Sequence, residues 1–324
     1  MAYYTGTANT LNDLKGALTL ALTGNGWSQD GEILSKGGTF ISLTVGAEDP
    51  LVPNTRLILS MGNSVLGGVL QDTPLSPRIG PLRDDSGQYN TWTWPVQYHI
   101  HVLPTEVYLL VNHDGVWWQH LAFGRSPTPG NPGTGNWLYA SFPHPGRSRM
   151  NSIVEMSPHG GGMSTYNSVN RSALPFFWTG GKDNSYPSLY MNAQIHGCTN
   201  MNGETKWSDR EFPGFYKTSS MTGVTSGPTM SPLFSLQPNA WNSESTLLPI
   251  QIFQHRLENK VSLVGELVEA RFIRNDFLPD GEIVTVGGTR WKVYSAYRRN
   301  TAARNGGRSN HSGTFAIAIR YDGP

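Results

Sequence analysis

A single cysteine, Cys198, stands in 324 residues, so no intrachain disulfide can staple this chain. Charge is scarce too: Asp, Glu, Lys and Arg make up 15% of the residues and leave a net charge of +1. A surface built for nucleic acid or for an anionic membrane needs a clear excess of Lys and Arg, and none is present. No stretch approaches the roughly 18 apolar residues that cross a bilayer as a helix. The opening residues, Met1-Ala2-Tyr3-Tyr4-Thr5, lack the basic start and apolar core of a secretion signal. The expectation is a soluble protein made in a reducing cytoplasm. Long helical periodicity is also rare. In its place stand 37 glycines and 22 prolines, the mark of many turns between short strands. Ten tryptophans and 13 tyrosines supply large side chains for a core or an interface.

One helix is legible near the start. Thr10 suits an N-cap, Asp13 favours the positive end of the helix dipole, and Leu11, Leu14, Leu18, Ala21 and Leu22 share one face. Gly24 and Gly26 stop it, and Trp27 is placed to fold back as a lid. A hairpin follows, Glu32–Ser35 and Thr39–Val45 about Lys36-Gly37-Gly38, and then a strand over Arg56–Met61. Val96 to Phe123 predicts a three-stranded meander. Its middle strand, Val107–Val111, is an uninterrupted apolar run, as expected of a strand covered on both faces. From Gly124 to about Thr246 no period emerges, yet the segment holds Phe176, Phe177, Trp178, Tyr186, Tyr190, Trp207, Phe212, Phe215, Tyr216 and Trp241. It reads as an ordered, loop-rich insertion rather than a polar disordered one. Leu247–Phe253, Val261–Phe272, Gly281–Val286, Arg290–Tyr294 and Thr314–Tyr321 read as strands. The fold class is therefore α+β to mainly β. It divides into an α+β domain over residues 1–125, a loop-rich aromatic insertion over 126–246 and a β-rich part over 247–324.

Several side-chain patterns invite a chemical reading. His99 and His101 sit at i and i+2 of one strand, with Glu106 five residues on, a spacing that resembles the first metal-binding motif of cupins. The second cupin motif has no counterpart. Tyr98, Ile100 and Val102 form the buried side, which points both histidines toward solvent or a neighbour. His196-Gly197-Cys198 lacks the helix start that activates a thiolate, and His159-Gly160-Gly161-Gly162 lacks the Lys and Ser/Thr of a phosphate loop. Ser312 lacks nucleophile-elbow spacing. Trp92, Trp94, Trp117 and Trp118 suggest a sugar-stacking platform. Trp117 and Trp118 are consecutive on a strand, so one points away from the core and calls for cover, by a ligand or by a second subunit. The subunit is the preferred cover. Arg298, Arg299, Arg304 and Arg308 crowd a tip between the last two strands, next to Tyr294 and Tyr297. The rest of the chain adds no basic surface, so the tip reads as a protein interface rather than a DNA contact.

Three segments resemble structural proteins of tailed bacteriophage particles. They are Thr7 to Leu14 running on to Gly26-Trp27; Glu106 to Asn112 leading to Trp118-Gln119-His120-Leu121-Ala122-Phe123-Gly124 and Gly133 to Trp137; and Trp291 to Thr301 with Ser312 to Gly323. The resemblance implies a non-enzymatic virion component of the tail, neck or baseplate region, made in the host cytoplasm, with no cofactor. It implies homo-oligomerisation and contacts with other tail or neck proteins. A carbohydrate-binding adsorption protein is the alternative that the tryptophans support, and a cupin-like metal enzyme on His99, His101 and Glu106 the third.

Overall fold

The computed structural model describes residues 1–46, 56–74, 76–83, 89–90, 92–126, 134–140, 194–201, 204–207, 224–225, 246–255, 261–302, 304 and 313–324. Three antiparallel sheets and one helix are stacked in layers. The middle layer has seven strands, in the order β1 (Ala2–Ala8), β11 (Val96–Val102), β12 (Glu106–His113), β13 (Trp117–Arg125), β14 (Asn136–Ala140), β15 (Gln194–Met201) and β16 (Glu204–Trp207). The predicted meander is its centre, in register Ile100↔Leu109 and Leu109↔Leu121.

One face of this sheet carries helix α1 (Leu11–Thr23) and a five-stranded sheet. The strands of that sheet run β2 (Ser28–Asp30), β3 (Ile33–Lys36), β4 (Thr39–Gly46), β5 (Arg56–Gly62) and β8 (Arg78–Ile79). The helix begins as the sequence predicts. The Thr10 hydroxyl accepts from the Asp13 amide at 3.1 Å, capping one free N–H of the first turn, and the Asp13 carboxylate accepts from the Asn9 amide just before the cap at 2.9 Å. Gly26 takes φ +81° just past its end, and Trp27 folds back edge-on to Phe123 at 5.6 Å. Leu14, Leu18 and Leu22 meet Ile41, Leu59, Ile100 and Leu109 in one core. Two small hairpins are β6 (Ser64–Leu66) with β7 (Val69–Gln71) and β9 (Leu82–Arg83) with β10 (Tyr89–Asn90).

A six-stranded sheet covers the other face. Its order is β17 (Val224–Thr225), β18 (Leu248–His255), β19 (Val261–Arg274), β22 (Phe315–Arg320), β21 (Thr289–Ser295) and β20 (Ile283–Val286). Tyr108, Leu110, Trp137 and Tyr139 from the middle sheet pack with Ile250, Phe272, Tyr294 and Ile317 in a second core. Burial of each such side chain stabilises by roughly 1.5–3 kcal/mol. Strand β12 thus alternates between two cores, Val107, Leu109 and Val111 on the helix side and Tyr108 and Leu110 on the other, and all its residues are buried. That double cover is why its sequence is apolar without interruption.

The boundaries expected at residues 125 and 246 fall inside sheets. Strands β14, β15 and β16 extend the first domain's sheet, and β17 joins the last one. Asn136–Ala140 belongs there because it too serves both cores, with Trp137 and Tyr139 on one side and Leu138 and Ala140 on the other. The aromatic residues from Phe176 to Tyr190, from Phe212 to Tyr216 and Trp241 lie outside the described residues.

Candidate functional site

The chemistry-bearing side chains gather where the middle sheet meets the six-stranded one. Alternation along β11 puts His99 and His101 on the same face as their cross-strand neighbours Thr5 and Tyr3. The sequence reading of that alternation was sound, but its conclusion of exposure is corrected. His99 is 7% and His101 1% exposed, because the six-stranded sheet covers this face.

The hydrogen bonds of His101 fix its tautomer. Nδ1 of His101 lies 3.3 Å from the Arg320 carbonyl, which can only accept, so Nδ1 carries the proton and Nε2 accepts from the Tyr294 hydroxyl at 2.8 Å. Nδ1 of His99 shares a hydrogen bond with the Tyr3 hydroxyl at 2.7 Å and lies 3.3 Å from the Thr5 hydroxyl, which donates to the Tyr98 carbonyl. Tyr3 in turn accepts from Lys292 Nζ at 3.1 Å, and that ammonium lies 4.6 Å from the Tyr3 ring centre and 4.8 Å from that of Tyr321. Burial, with the Lys292 charge beside it, pushes His99 down to about 4. Burial likewise pushes His101 down to about 3, against its hydrogen bond to the Arg320 carbonyl. His120 is the third member: it donates through Nε2 to the Ser295 carbonyl at 3.1 Å, and burial takes it to about 4. All three are neutral imidazoles between two sheets, and His101 and His120 hydrogen-bond across from one to the other while His99 meets the Tyr294 ring at 5.3 Å.

Glu106 does different work. Between Pro249↔Arg271 and Ile250↔Leu267, strand β19 makes three more steps than β18, so Val268, Glu269 and Ala270 bulge out of that ladder. The Glu106 carboxylate accepts from the freed amides, Val268 at 2.8 Å and Glu269 at 3.1 Å, and from the Tyr108 hydroxyl at 2.6 Å. Arg271 treats the carbonyl side of the same bulge, donating through Nη1 to Leu267, Val268 and Ala270 at 2.8, 3.1 and 2.7 Å. Complete burial pushes Glu106 up to about 7 in spite of its three donors. The grouping of His99, His101 and Glu106 about one metal, which the cupin-like spacing raised as the third alternative, is not formed. Both nitrogens of His101, Nδ1 of His99 and both oxygens of Glu106 are hydrogen-bonded within the chain. Among the described residues no three His, Cys, Asp or Glu side chains converge as ligands.

The tryptophans divide between the two cores instead of making one platform. Trp92 is buried on the helix side beside Trp94, its ring stacked on His113 at 5.3 Å. The imidazole of His113 donates to Asp114 at 3.0 Å in the turn that joins β12 to β13. Trp118 is buried on the opposite side and donates from Nε1 to Asp280 at 3.1 Å and from its amide to the Tyr297 carbonyl at 2.7 Å. Trp117, half-buried, meets the Tyr297 ring at 4.8 Å and the Arg298 guanidinium at 4.6 Å. The cover that the sequence assigned to a second subunit comes here from the same chain. The reason is that the arginine-bearing tip folds back over the end of the middle sheet.

The tip is tied down by a residue the sequence reading passed over. Asp276, just beyond β19, is buried and takes a two-pronged ion pair from Arg274, Nε and Nη2 each at 3.0 Å. Arg304 pairs with the same carboxylate, and Arg299 donates to the Asp276 carbonyl at 2.5 Å. Arg308, His159 and Ser312 lie outside the described residues, and His196 and Cys198 fall on β15. The order Arg-Asn-Asp at the end of an apolar strand was the available signal for this knot, since a charged run there needs partners once it is buried. Tyr3, Lys292 and Tyr294 gave no signal, because only the packing of one sheet on the other unites them.

No protein-family model matches this chain, and no curated protein matches it.

Proposed function

We propose that this chain is a structural subunit of a multi-subunit particle, and, on the segments that resemble tailed-phage proteins, a virion component of the tail, neck or baseplate region. One observation carries the reading. The middle sheet ends in a seven-residue edge strand, Ala-Tyr-Tyr-Thr-Gly-Thr-Ala, with neither a charge nor a proline. A monomer that keeps such an edge open invites pairing with other chains, and natural proteins ordinarily blunt it. A subunit that is always assembled has no such need. The polar groups between the sheets support the same reading, because His101, His120 and Glu106 spend their hydrogen bonds holding one layer on the next. Mass spectrometry of purified particles from the source of this gene tests the assignment. The chain is expected at a fixed stoichiometry to the other particle proteins; complete particles that lack it sink the proposal.

A further inference from the structure

The open edge specifies its occupant. The other described edge strands each carry a safeguard: β2 has three residues and Asp30, β8 has two and Arg78, β16 holds Glu204 and Lys206, β17 has two residues, β20 has four and follows Glu282, and the strands of the two small hairpins have two or three residues each. Strand β1 has seven residues and none of these devices, and β11 is its one neighbour. Thr5 and Thr7 are exposed and Tyr4 is 39% exposed, so none of the described residues covers the edge. No backbone bond from Ala2–Ala8 runs to any other described element.

The strand also complements itself. An antiparallel two-fold centred on Thr5 sets Thr5 opposite itself, Tyr4 opposite Gly6, Tyr3 opposite Thr7 and Ala2 opposite Ala8. Every pair joins an aromatic ring with a small or β-branched residue, or two small ones, and no like charges meet. Gly6 is suited to its place in this register. The Tyr98 ring already lies across it, since a Cβ there falls 2.7 Å from the Tyr98 hydroxyl, so the incoming Tyr4 ring lands against Tyr98. Two-fold pairing of one edge closes after two copies, whereas an unmatched edge propagates.

We propose that two copies of this chain join edge to edge through β1, with Thr5 on the two-fold axis, so that their seven-stranded sheets run on as one. The pairing rests on the subunit reading above and names the first contact in that assembly. Three variants of the full chain test it. Thr5→Lys sets two ammonium groups against each other on the axis, and light scattering is expected to fall from the dimer mass to the monomer mass with the circular dichroism unchanged. Thr5→Cys, with Cys198→Ser to remove the other thiol, is expected to form a covalent dimer under copper–phenanthroline oxidation. Thr7→Cys in the same background is not, because the register separates its two copies by about 13 Å along the strands. A wild-type chain that is monomeric at its highest soluble concentration overturns the pairing. So does an oligomer whose mass ignores Thr5→Lys, or equal cross-linking at residues 5 and 7. If Thr5→Lys does not fold, the cysteine pair decides alone. An oligomer indifferent to Thr5→Lys defeats this contact but leaves the subunit reading standing. Complete particles without the chain defeat that reading while a cross-linked dimer keeps the pairing.

Discussion

Truncating Glu106 removes the acceptor of three donors at once. Glu106→Ala takes away the acceptor of the Val268 and Glu269 amides and of the Tyr108 hydroxyl and opens a void between the sheets. The expected loss is about 3 kcal/mol of stability, read as a lower urea midpoint at pH 7. The pH dependence of folding carries two opposed contributions. The folded value of Glu106, about 7, lies above its ordinary 4.5, so its contribution is whole below pH 4.5 and is lost as pH rises through 7. His99, His101 and His120 have folded values of about 4, 3 and 4 against an ordinary 6.5. Their contribution is whole above pH 6.5 and is lost as pH falls toward those values. Three imidazoles outweigh one carboxyl, so stability is expected to climb from pH 4.5 to 6.5. His101→Gln flattens that climb by about 1 kcal/mol per pH unit, and Glu106→Gln steepens it by about as much. Urea titrations at four pH values check both signs, and a His101→Gln slope equal to wild type contradicts the assignment.

The elements that a sequence reveals are those whose pattern depends on one neighbour. Helix α1, with Thr10 at its cap and a leucine stripe on one face, was legible in full, as were the hairpin at Lys36-Gly37-Gly38 and the meander from Val96 to Phe123. Strand β1 was not, because Gly6 and two threonines blur its alternation. Strand β14 sits next to a turn-rich run that hides it. The faces of β11 were separated correctly, yet nothing local announces that a strand some 190 residues later covers His99 and His101. For the same reason Arg299 and Arg304 read as interface residues when they are tied to Asp276. Here a sharp outcome is expected. Asp276→Ala leaves Arg274, itself only 3% exposed, as a buried charge without its carboxylate, which costs on the order of 3–5 kcal/mol. It also releases Arg299 and Arg304 from their anchor. Hydrogen exchange is then expected to quicken at residues 296–302 more than in α1, whose cap is distant in sequence and belongs to the other core. Uniform acceleration across both regions argues against a local knot.

The middle sheet is the shared wall of two cores, and this determines how the molecule comes apart. On one side it holds the helix and the five-stranded sheet; on the other it contributes Tyr108, Leu110, Trp118, Trp137 and Tyr139 to a core whose remaining half belongs to the six-stranded sheet. Neither outer layer can leave without exposing apolar surface on the wall itself, and at the second core it also strips His101, His120 and Glu106 of partners. Loss of one layer therefore weakens the other, which favours all-or-none melting. Heat unfolding followed by far-ultraviolet circular dichroism, which averages all the sheets, and by tryptophan fluorescence is expected to give coincident curves. Phe272→Ala, which cuts a side chain with 0% exposure from the second core, is expected to shift both curves together by roughly 3–5 kcal/mol. Two separated transitions, with only the later one unmoved by Phe272→Ala, would mean that the six-stranded sheet melts alone and that the histidine and glutamate contacts couple the layers only weakly.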